Sequence, residues 1–96
     1  MPIDVQHRDE LGGTIADGDF VEHRELPAFD DKRYPYLRLI DPYENTIFSS
    51  YQMKWAVLPE LERFAVESPS PQVERVLQLA RRCGSEVHTY LWFIGD

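Results

Sequence analysis

An α+β fold, a small and mostly antiparallel sheet with two helices packed on one face, is what this 96-residue sequence predicts. Three observations predict it. Side chains alternate with period two near both ends of the chain, apolar against polar over residues 2–8 and in two apolar or aromatic rows over residues 86–94, as a central strand has. Two helical patterns stand side by side between them, separated by Ser68-Pro69-Ser70-Pro71. Helices that are neighbours in sequence and each carry one apolar stripe form a single layer on a sheet. The expected order is β-β-β-α-α-β in one domain, residues 1–96, with the last strand in the middle of the sheet.

Taken in order, Ile3, Val5 and His7 alternate with Asp4, Gln6 and Arg8 as a half-buried strand does. Residues 9–13 form a turn, because paired glycines supply positive φ at little cost. Residues 14–17 return as a strand that a second turn, Asp17-Gly18-Asp19, closes. Asp17 and Asp19 match the start of a calcium loop, but Glu22 stands where that loop needs glycine and Ala28 where it needs an acid. Residues 20–26 read as a strand end or a short turn, stopped by Pro27. A charged loop, residues 29–33, follows.

Residues 36–40 read as the third strand, with Tyr36, Arg38 and Ile40 on one face and Leu37 and Leu39 on the other. Pro42 bars it from running on as a central strand. Tyr43-Glu44-Asn45-Thr46 is then a polar hinge; Asp41, Tyr43, Asn45 and Thr46 are its structural turn residues, with Asp41, Asn45 and Thr46 bonding the backbone through their side chains.

The first helix starts at Ser49 or Ser50, both competent caps, and presents Met53, Val57, Leu61 and Phe64 inward, with Trp55, Leu58 and Ala65 beside them. Pro59 deletes the bond to the Trp55 carbonyl, which predicts a kink or a restart. The second helix is capped by Ser70, opens with Pro71 and is expected to stop at Gly84. Val73, Val76, Leu77, Ala80 and Cys83 form its inward stripe, and Arg81 and Arg82 suit the negative end of its dipole. Cys83 is thereby a core residue rather than a reactive thiol. In the last strand Val87, Thr89, Leu91 and Phe93 face the helices. His88, Tyr90 and Trp92 occupy the open face, covered by the N-terminal hairpin or left for a partner.

Asp41-Pro42-Tyr43, Asn45-Thr46-Ile47-Phe48 and Gln52-Met53 resemble a family of small bacterial proteins sharing an Asp-Pro-Tyr, Thr-x-Phe, Gln pattern ahead of a Leu-rich helix. The likeness spans residues 35–66 and extends to residues 88–95. It implies a self-standing bacterial domain and carries no activity with it. Pro59 departs from the pattern by falling inside the helix.

Charge bounds the function. Residues 1–31 hold nine acids against Arg8 and Arg24, so they carry the whole net charge of −7, while residues 32–96 balance. Direct nucleic-acid binding needs a cationic footprint that this distribution lacks. Attraction to a basic protein partner fits it, through Asp17, Asp19 and Glu22 together with His88, Tyr90 and Trp92. The implied class is a non-enzymatic acidic binding module, an immunity or antitoxin-type protein being its most concrete form. The alternatives are a self-associating subunit, with a homodimer through the aromatic strand, and a small enzyme using Asp41, Glu44 and His88. Phosphate-loop, nucleophile-elbow and zinc-protease motifs are all missing from the sequence. His7, His23 and His88 lack metal-ligand spacing, so neither metal nor cofactor is expected. The single cysteine and the lack of a long apolar run lead to an expectation of a cytoplasmic chain with no membrane span.

Overall fold

The computed structural model describes residues 2–16 and 20–95. Five antiparallel strands form an open sheet. The long first strand, Pro2–Asp9 (β1), carries two short ones on one edge: Thr14–Ala16 (β2) opposite its C-terminal part and Phe20–Glu22 (β3) opposite its start. Its other edge pairs with the last strand, Thr89–Ile94 (β5), which in turn pairs with Asn45–Ser49 (β4). The last strand is therefore central, as its two apolar faces require.

The turn after β1 shows why its glycines are there. Gly12 adopts φ 85°, in the left-handed region. Asp9 Oδ1 accepts from the Leu11 and Gly13 amides at 2.9 and 2.8 Å. The proposed second turn, Asp17-Gly18-Asp19, lies outside the described residues.

Register decides which side chains meet the helices. Val5 faces Phe93, His7 faces Leu91, and Phe48 and Thr46 face Leu91 and Phe93 from β4. Ile3, Val5, Phe48, Leu91 and Phe93 are buried with Met53, Val57, Leu61, Val73, Val76, Leu77, Ala80 and Cys83 in one cluster. The expected inward positions of both helices are thus buried, except Trp55, which was expected beside the first stripe and is 66% exposed.

The first helix begins at Ser49, whose Oγ accepts from the Gln52 amide at 3.1 Å while Gln52 Oε1 accepts from the Ser49 amide at 2.9 Å. One turn of α-helix, Ser50–Gln52 (α1), passes into a π turn, Met53–Val57, in which the Leu58 amide reaches the Met53 carbonyl. A fresh α-helix, Leu58–Glu67 (α2), follows. The wide turn places Pro59 in the first turn of α2, where a missing N–H costs nothing. The restart expected at the proline is realised this way.

Three expectations are corrected. Residues 36–40 are not a strand but a 3₁₀ turn, Leu37–Leu39, and the strand is β4, taking in Asn45 and Thr46 of the supposed hinge. The cause is Glu60, a buried carboxylate on α2 that accepts from the Tyr36 and Leu37 amides. With those donors satisfied, and the Arg38 and Ile40 amides bonded to the Tyr34 and Leu37 carbonyls, the segment needs no sheet partner.

Gly84 does not stop the second long helix, Pro71–Ser85 (α3), which ends one residue later. Gly84 packs against the first helix, where an added Cβ would meet the Lys54 backbone at about van der Waals distance, 3.4 Å from its Cα. The last strand starts at Thr89 rather than at residue 86. His88 takes φ 60°, and the Thr89 hydroxyl donates to the Glu86 carbonyl at 2.6 Å, which closes a turn there. Val87, expected to point inward, is 77% exposed.

Candidate functional site

The face of the sheet turned away from the helices is built by register. Arg8 lies opposite Tyr90, Gln6 opposite Trp92 and Asp4 opposite Ile94. On the far side of β5, Ser49, Ile47 and Asn45 continue the same rows, and Phe20 lies beside Asp4. Tyr90, Trp92 and Ile94 are half-buried, whereas Phe20 and Ile47 are exposed. The Arg8 guanidinium stacks 4.3 Å from the centre of the Trp92 ring, and its Nε and Nη2 donate to Gln6 Oε1 at 2.9 and 2.7 Å. Arg8 thus screens one side of the indole and holds a planar cation amid the apolar row.

The six expected partner-binding residues divide. Tyr90 and Trp92 share this face, with Glu22 at its rim opposite Pro2. His88 has left the strand and stands exposed near Glu10, its Nδ1 3.9 Å from Oε2. Asp17 and Asp19 lie outside the described residues. Part of the acidity expected to form one surface is committed locally: Asp9 holds its turn, Glu25 accepts from the Glu22 amide at 3.1 Å, and Asp31 pairs with Arg33 at 3.0 Å. Ile47, Ile94 and Phe20 were not singled out from the sequence. The alternation of β4 carries the signal for Ile47, once Asn45 and Thr46 are read as strand.

The joint after the 3₁₀ turn is held by its side chains. Asp41 Oδ1 accepts from the Tyr43 amide at 2.8 Å, and Thr46 Oγ1 accepts from the Asp41 amide at 3.1 Å. Asn45 and Tyr43 are exposed. Gly95 closes the joint from the other end of the chain: a Cβ there would fall 2.6 Å from the Glu44 backbone nitrogen and oxygen. Asp41→Ala should cost about 0.5–2 kcal/mol, the range for losing a side-chain cap. Thermal melting checks this; an unchanged Tm with loss of a binding activity would assign Asp41 to a site instead.

Asp41, Glu44 and His88 are not brought together. Asp41 and Glu44 sit beside Gly95, past one end of β5, and His88 precedes the other end. A six-residue strand separates them by roughly 20 Å at 3.4 Å per residue. Among the described residues no group of three or more His, Cys, Asp or Glu is placed to hold a metal ion. Cys83 is buried, and burial pushes its thiol up to about 11, so it stays protonated at neutral pH.

His7 is a polar group in the core, on the face of β1 that Ile3 and Val5 share. It is fully buried on the helix-facing side of β1, and neither ring nitrogen has a hydrogen-bond partner. Burial lowers its pKa; Glu86 opposes this and Arg82 adds to it. A histidine whose pKa is lower folded than unfolded supports stability above its unfolded pKa of about 6.5. That support is lost as pH falls through the lowered folded value. Stability should therefore drop below about pH 6.5 with a slope of at most roughly 1.4 kcal/mol per pH unit from this group. Denaturant unfolding at pH 7.5 and below pH 6 should show a drop that His7→Leu abolishes; an equal drop in the variant would place the cause elsewhere.

Compared with known proteins, the chain matches no family model, no curated protein and no solved structure. No helix among the described residues is long and apolar enough to cross a membrane.

Proposed function

We propose that this chain is a non-enzymatic, cytoplasmic protein-binding module whose docking surface is the open face of the sheet. One observation carries the reading. Phe20, Ile47, Tyr90, Trp92 and Ile94 lie on one face while both long helices pack on the other. An aromatic and aliphatic surface of this kind marks interaction sites more often than an ordinary solvated face. The fitting partner presents an apolar patch with lysine or arginine at its margin, to meet Asp4 and Glu22. An immunity or antitoxin-type role toward a basic protein is the concrete form. The likeness of residues 35–66 to a family of small bacterial proteins belongs to the same proposal.

A second reading, self-association, has its own observation. Asp4 and Arg8 flank Gln6 on the same face of β1. A two-fold axis through the Gln6–Trp92 row would set each Asp4 against Arg8 of a second copy.

The test uses the full chain as bait in cell extract, in wild-type and Trp92→Glu forms. A partner bound by wild type and weakened at least tenfold by Trp92→Glu supports the reading, since a central aromatic anchor dominates such interfaces. The amide triple variant of Asp17, Asp19 and Glu22 should slow association at about 0.1 M salt, and the difference should vanish near 1 M, where the Debye length falls to about 3 Å. Equal binding by the wild-type and Trp92→Glu baits would overturn the docking surface. A salt-insensitive homodimer lost in Trp92→Glu would select the second reading.

A further inference from the structure

Away from the sheet's open face, the loop between β3 and β4 lines an open groove of about 440 Å³. Its walls are His23, Phe29, Arg38, Leu39, Ile40 and the turn from Asp41 to Tyr43. Small-molecule pockets span about 300–1,000 Å³ and combine apolar walls with a few polar groups, which describes this one. Three large apolar side chains around it stay in water: Phe29 is 74%, Leu39 55% and Tyr43 66% exposed. Leaving three such residues wet around one groove forgoes burial that a core would have used.

The polar group is Arg38. Its Nη1 donates to the Phe29 carbonyl at 3.0 Å, which fixes the guanidinium in place. Its Nε is buried and has no acceptor. No carboxylate among the described residues lies within ion-pair range of it. Asp41, also in the wall, spends Oδ1 on the Tyr43 amide. The buried Nε is out of a ligand's reach, but the Nη end has one acceptor among the described residues, the Phe29 carbonyl, and an oxyanion is the best complement for its remaining N–H groups. Arginine's planar fork suits a carboxylate in particular.

We propose that this groove is a binding site for a small amphipathic monocarboxylate, an aryl or branched-alkyl acid. The carboxylate takes the N–H groups at the Nη end of Arg38 that the Phe29 carbonyl leaves over, and the apolar part lies among Phe29, Leu39, Pro42 and Tyr43. A single arginine with Asp41 close by selects a monoanion over a polyphosphate, which would need several cations. His23 offers a second donor from the wall. The site is separate from the proposed docking face, so either stands if the other fails.

The experiment is amide NMR titration of the full chain with phenylacetate, using phenylacetamide as the neutral control. Phenylacetate should bind saturably with Kd of about 1 mM or below, with shifts centred on Phe29 and residues 38–43. Arg38→Gln should weaken phenylacetate at least tenfold and leave the weaker phenylacetamide binding unchanged. Arg38→Lys keeps the charge but loses the fork, and should fall between the two. Should Arg38→Gln fail to fold, the wild-type comparison of the two probes decides. The proposal is overturned by no saturation at about 10 mM, by equal affinity for acid and amide, or by shifts centred elsewhere.

Discussion

Tyr34→Ala should lower stability by about 3–5 kcal/mol, the range for truncating a buried aromatic ring. Tyr34 is fully buried although it sits in a loop otherwise rich in charge. Its ring meets Phe64 edge-on with centroids 5.3 Å apart. Its hydroxyl donates to a carboxylate oxygen of Glu67 at the end of α2. The Arg33 and Arg63 guanidinium carbons lie 5.5 and 5.0 Å from the ring centre. Arg33 also pairs with Glu67 at 3.2 Å, so one side chain ties the loop to the helix through packing and charge together. Tyr34→Phe isolates the hydroxyl and should cost only about 0.5–1.5 kcal/mol, the net value of a hydrogen bond. Denaturant unfolding of both variants checks the split. Near-equal losses would mean that the hydroxyl, not the ring, anchors the loop.

The helices, β1 and β5 were legible because one periodicity governs each. Met53, Val57, Leu61 and Phe64 recur at helical spacing and are buried, and so are Val73, Val76, Leu77, Ala80 and Cys83. Ser49 and Ser70 act as caps because a serine ahead of an apolar run has few competing roles. Residues 36–40 and the pair Asn45-Thr46 depart from the sequence reading for a different reason. Tyr36 to Ile40 alternates well enough to pass for a strand, but its amides are claimed by Glu60, 24 and 23 residues further on. Nothing local announces a carboxylate that arrives from another helix. Asn45 and Thr46 look like turn residues, yet they pair with Ile94 and Phe93 because β5 supplies a ready edge. The candidate sites divide in the same way. Tyr90 and Trp92 follow from alternation within one strand, whereas the Arg38 groove depends on loop packing that no pattern encodes.

Replacing Glu60 should be nearly as damaging as truncating Tyr34. Its carboxylate is buried, and one oxygen accepts from both the Tyr36 amide at 3.0 Å and the Leu37 amide at 3.1 Å, while the other reaches the Tyr36 amide at 3.2 Å. Those donors belong to the start of a 3₁₀ turn, where no intrahelical partner exists. Hydrogen bonds to a charged group contribute about 1.5–3 kcal/mol each, and stranding a donor costs about 1–3 kcal/mol. Glu60→Ala should therefore cost about 3–4 kcal/mol, allowing for water entry into the space it leaves. Glu60→Gln keeps one accepting oxygen and should cost about half as much. Hydrogen exchange gives the sharper test, because the Tyr36 and Leu37 amides should lose protection before the sheet does. The same loosening would release Arg38 and Leu39 from the groove wall, so phenylacetate binding should weaken in Glu60→Gln even where the variant stays folded. Unchanged exchange at Tyr36 and Leu37 in Glu60→Ala would show that the loop is held by its apolar contacts alone.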